Sequence, residues 1–74
     1  MPDDSIAQRH LALADRHIAE TKRRIQQQDE IVHRLRRLGN EAHAALAEAL
    51  LHTFQQSLTL MNHHRDLILD ELGL

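Results

Sequence analysis

The chain has 74 residues, with 9 Lys and Arg against 11 Asp and Glu, for a net charge of −2 with histidine neutral. That allows one small domain and gives no global pull toward nucleic acid. With no cysteine and Phe54 as the single aromatic residue, disulfides and thiolate metal sites are excluded.

The apolar 42% consists almost entirely of Leu, Ile and Ala, which suits helix-on-helix packing and argues against strands. Asp3-Asp4-Ser5 is a cluster of good N-cap residues, and Ser5 with Gln8 matches a capping box, so a first helix is predicted from about residue 5. Neither Pro nor Gly interrupts it before Leu38, which makes it on the order of 50 Å long at ~1.5 Å per residue. Its apolar strip is a heptad, with Leu11, Ile18, Ile25 and Val32 at one core position and Ala14, Thr21, Gln28 and Leu35 at the other. Ile31 and Leu38 widen one flank, at the same heptad position as His10, His17 and Arg24.

The pattern breaks at Gly39-Asn40. Gly39 suits the left-handed conformation that ends a helix, Arg34, Arg36 and Arg37 complement the dipole before it, and Asn40 with Glu41 can start the next helix. So short a connection folds the chain into an αα-hairpin. The second helix is predicted from about Glu41 to Leu72, closed by Gly73. Leu46, Leu50, Phe54, Leu60, Met61, Leu67, Ile68 and Leu72 project onto one broad face, with Leu51, Leu58 and Leu69 extending its edge. The first helix cannot cover so wide an arc.

The predicted fold is therefore an all-α antiparallel two-helix hairpin, a single domain with helices at about 5–38 and 41–72 and a turn at 39–40. It is expected to dimerise into a four-helix bundle or coiled coil, a larger helical oligomer being the alternative. Leu11, Ile18, Ile25, Val32 and Leu35 with Leu50, Phe54, Met61 and Ile68 are expected to carry association, and Leu51 and Leu58 to form the second seam between copies. Another helical protein is the alternative partner.

Charge is divided between the helices. Between Ser5 and Leu38, eight bases face four acids, and between Glu41 and Leu72 one base, Arg65, faces five acids; opposite charges flanking the seam would select one helix against the other. Arg9, Arg16, Arg23, Arg34 and Arg37 project from the outer side of the first helix, so a phosphate-binding line is the nucleic-acid alternative, without the aromatic residues that usually accompany one.

Seven histidines stand out. His33 and His52 form (i, i+4) pairs with Asp29 and Glu48, while His63 projects onto a polar face. Glu30-x-x-His33 spells the carboxylate–histidine motif of di-iron bundles, but it points away from Ile25, Val32 and Leu35, where such ligands would have to project. His10, His17, His43 and His64 project onto or beside the apolar faces. The hairpin should bring His17 near His64, where a transition metal or haem is the alternative to no cofactor, and a pH-dependent assembly switch a further one.

No Gly-rich phosphate loop, nucleophile elbow or Cys–His pair occurs, and a hairpin lacks a catalytic cleft, so no enzymatic activity is expected. No apolar run approaches the ~20 residues of a membrane span, and the acidic, polar start is unlike a signal peptide. A soluble cytoplasmic protein with no membrane partner is expected.

Ala14-Asp15-Arg16-His17-Ile18-Ala19-Glu20, then Ile25-Gln26-Gln27-Gln28-Asp29-Glu30-Ile31-Val32, and later His63-His64-Arg65-Asp66-Leu67-Ile68 resemble segments of short helical-hairpin proteins common in rhizobia and related alphaproteobacteria. The resemblance spans about residues 10–72 and implies a small bacterial helical protein, with no activity to carry over.

Overall fold

A computed structural model describes residues 2–73, with side chains described from residue 6 to residue 73. It consists of two helices, α1 (Pro2–Arg37) and α2 (Glu41–Leu72), packed antiparallel as a hairpin 57 Å long and 14 Å across. Helix α1 begins at Pro2 and not near residue 5. Proline is favoured in a first helical turn because its missing N–H has no intrahelical partner there. The Ser5–Gln8 capping box falls on a side chain outside the described residues.

The turn closes as a Schellman motif. Gly39 has φ +74° and donates its N–H to the Arg36 carbonyl at 3.0 Å, while Asn40 donates to the Leu35 carbonyl at 2.9 Å. Asn40 then caps α2, its Oδ1 accepting from the His43 N–H at 3.3 Å. Gly73, also at φ +74°, ends α2 by donating to the Asp70 carbonyl.

The seam between the helices follows the α1 heptad. Ile18 and Val32 are buried, as are Thr21 and Gln28 from the second core position and Ala7 two heptads before Thr21. Facing them, Ala44, Leu51 and Ile68 are buried, and Ala47, Phe54, Leu58, Met61, Arg65 and Leu72 are half-buried. These positions recur at seven-residue spacing in α2, so two heptads interlock. Ala44, at 0% exposed, is the most deeply buried of them.

Among the described residues, both buried polar side chains are satisfied across the seam. Gln28 Nε2 donates to the Ala47 carbonyl at 2.9 Å, and the Thr21 hydroxyl to Met61 Sδ at 3.3 Å. Such bonds cost little and specify alignment, since sliding one helix past the other would orphan buried polar atoms.

Candidate functional site

Among the described residues, the large exposed apolar side chains are Ile6, Leu13, Ile31, Leu38, Leu46, Leu50, Leu60 and Leu67. At about 100° per residue, all lie about 90–130° around their helices from the seam, and all on the same flank. In an antiparallel pair like flanks adjoin, so the two stripes merge into one face of the hairpin.

The grooves beside the seam display the two faces. One, of about 450 Å³, is lined by His10, Leu13, Ala14 and His17 from α1 with Leu60, Met61 and His64 from α2. The other is lined by Asp15, Ile18, Ala19, Lys22, Asn62 and Arg65. The second face carries the interhelix ion pairs Arg36–Glu48 and Arg65–Asp15, with partly exposed side chains. Arg36–Glu48 follows the expected sense, basic α1 against acidic α2. Arg65–Asp15 reverses it, joining the lone base of α2 to an acid of α1. The hairpin is thus two-sided, with the exposed leucines and three histidines on one face and the interhelix ion pairs on the other.

The residues expected to carry association divide between these surroundings. Ile18, Val32 and Ile68 are buried in the seam within the chain, and Leu11, Ile25, Leu35, Phe54 and Met61 are half-buried beside them. Of that set only Leu50 is exposed. Leu51 and Leu58 as a second seam need correction: Leu51 is buried within the hairpin and Leu58 half-buried, because α1 docks on the arc containing Ala44 and Leu51. The outward face belongs instead to Leu46 and Leu60, 72% and 70% exposed, with Leu50 and Leu67. Sequence reading had not connected Ile6 and Leu13 to this face. Their seven-residue spacing, running beside the separate heptad position of His10, His17, Ile31 and Leu38, was the available signal.

The groove does bring His17 and His64 to one level and adds His10; all three are exposed. Among the described residues, no three His, Cys, Asp or Glu side chains are grouped so as to hold a metal ion. His43 sits in the first turn of α2, its Nδ1 lying 2.8 Å from Asn40 Oδ1. His33 is exposed with Nδ1 2.7 Å from the Asp29 carbonyl oxygen, and Glu30 is exposed as well. Glu48 is engaged by Arg36.

Arg9, Arg16, Arg23, Arg34 and Arg37 are exposed, and none enters an ion pair among the described residues. The first three and Arg37 form a ridge opposite the seam that Glu30 interrupts, while Arg34 lies toward the leucine face. Among the described residues, no helix is long and apolar enough to cross a membrane. Compared with family models, curated proteins and solved structures, the chain gives no match.

Proposed function

We propose that the chain acts by self-association and not by catalysis: two hairpins join through their leucine faces into a four-helix bundle in the bacterial cytoplasm. The single observation that carries this reading is the gathering of the large exposed apolar side chains on one side of the hairpin. An apolar stripe about a quarter turn from the first seam is what each helix needs to occupy the corner of a square bundle.

The exposed area supports the same reading. The hairpin exposes 5736 Å² at 8.6 kDa, whereas a compact monomer of that mass exposes about 4,700 Å². The excess of about 1,000 Å² is close to what one partner contributes to a standard interface. The radius of gyration, 16.7 Å, likewise exceeds the ~11 Å of a compact chain this long.

Native mass spectrometry of the untagged protein tests the proposal. A bare species of twice 8.6 kDa supports it, and a monomer throughout the micromolar range overturns it. The groove lined by His10, His17 and His64 favours one second reading, a transition-metal or haem site. A dimer carrying such added mass, lost in His17→Ala or His64→Ala, would establish that reading. Co-purifying nucleic acid, released by salt and by replacing Arg16, Arg23 and Arg34, would instead point to the outer ridge.

A further inference from the structure

Two hairpins can meet face to face in two symmetric ways. A two-fold axis running along the helices keeps both turns at one end and lays α1 over α2 of the second copy. An axis crossing the helices puts the turns at opposite ends and lays α1 antiparallel over α1. We infer that the dimer adopts the second arrangement, with the axis passing near Lys22 and Glu20 of each copy facing Arg24 of the other. The inference rests on the self-association proposed above.

It follows from the order of residues along the outward stripe of α1. In the crossing arrangement, residues equidistant from position 22 meet. Ile6 then meets Leu38 and Leu13 meets Ile31, all four large, apolar and exposed. His10 meets Arg34 and His17 meets Gln27, polar against polar. At the centre, Glu20 meets Arg24 twice, once on each side of the axis. Glu20 is half-buried and Arg24 exposed, and among the described residues neither belongs to an ion pair within the chain. A stripe that is apolar toward both ends, with opposite charges straddling its middle, is complementary to its own reverse.

Helix α2 is less symmetric, and α1 carries the inference. The outward stripe of α2 reverses about a point between Leu58 and Thr59, bringing Leu50 onto Leu67 and Thr53 onto His64, with Leu60 on Ser57 and Leu46 on Glu71. One axis serves both helices only if that point lies across the hairpin from Lys22. The Asp15–Arg65 ion pair sets this alignment, since Asp15 precedes position 22 by as many residues as Arg65 follows position 58. The Thr21–Met61 and Gln28–Ala47 bonds bracket the same level. The alternative packing, α1 over α2, also brings Leu13 onto Leu67, but it seats Glu20 on Leu60 and Arg24 on Gln56, so both lose the opposite charges that the crossing arrangement gives them.

The chain contains no cysteine, so a nitroxide on Ala42→Cys, exposed beside the turn and off the leucine face, reports the arrangement by double electron–electron resonance. Opposed turns place the labels about 50 Å apart, from ~1.5 Å of rise per residue. A companion experiment measures dimer affinity in Glu20→Arg, expected to weaken it about tenfold, and in Glu20→Arg/Arg24→Glu, expected to restore it. A long distance with restoration supports the inference. A dimer with labels within about 30 Å, the thickness of two helix layers plus label, or without restoration, overturns the crossing axis while leaving self-association intact. A monomeric protein overturns both.

Discussion

Leu60→Glu is the most direct probe of the leucine face. In the hairpin Leu60 retains 70% of its exposure, so most of the benefit of burying it is still available to an association partner. Fully burying a leucine contributes about 1.5–3 kcal/mol, so each copy stands to gain about 1–2 kcal/mol. Two-fold symmetry doubles the term, and the introduced carboxylate adds a desolvation cost to the loss. The dimer dissociation constant should rise about 30- to 1,000-fold, at about 1.4 kcal/mol per tenfold. Sedimentation equilibrium over a dilution series measures this directly. Thr59→Glu, exposed on the charged side of α2, is the control and should leave the constant within a few-fold. Equal weakening by both substitutions, or an unchanged dimer in Leu60→Glu, would refute the assignment of this face.

Leu51→Ala acts inside the hairpin, where Leu51 is buried, and should cost about 2–4 kcal/mol of stability; urea denaturation at fixed protein concentration gives the value. Asn40→Ala removes the side chain that caps α2 through the His43 N–H, with an expected loss of about 1 kcal/mol, read as a lower thermal midpoint by circular dichroism. A double-mutant cycle on Arg36 and Glu48, both partly exposed, should return a coupling below about 1 kcal/mol, and that coupling should shrink in high salt.

The hairpin was legible because its signals are local. Gly39 supplies the positive φ, Asn40 the cap, and Arg34, Arg36 and Arg37 the basic last turn, each acting within a few residues of its own position. The α1 core was also legible, since a seven-residue repeat with a thin apolar strip leaves one line of side chains to bury. The proximity of His17 and His64 followed from the turn position and a constant rise per residue.

Helix α2 was ambiguous for a physical reason. Its apolar residues span roughly half the circumference, and periodicity specifies an arc without saying which neighbour covers each part. Sequence alone therefore determined that α2 had apolar surface to spare. Which leucines were spare was decided by tertiary structure, through the rotation of α2 about its axis. Burial of Ala44 and the Gln28–Ala47 and Thr21–Met61 bonds turn Leu51 inward and leave Leu46 and Leu60 facing out, because this rotation satisfies the buried polar groups while interlocking the two heptads.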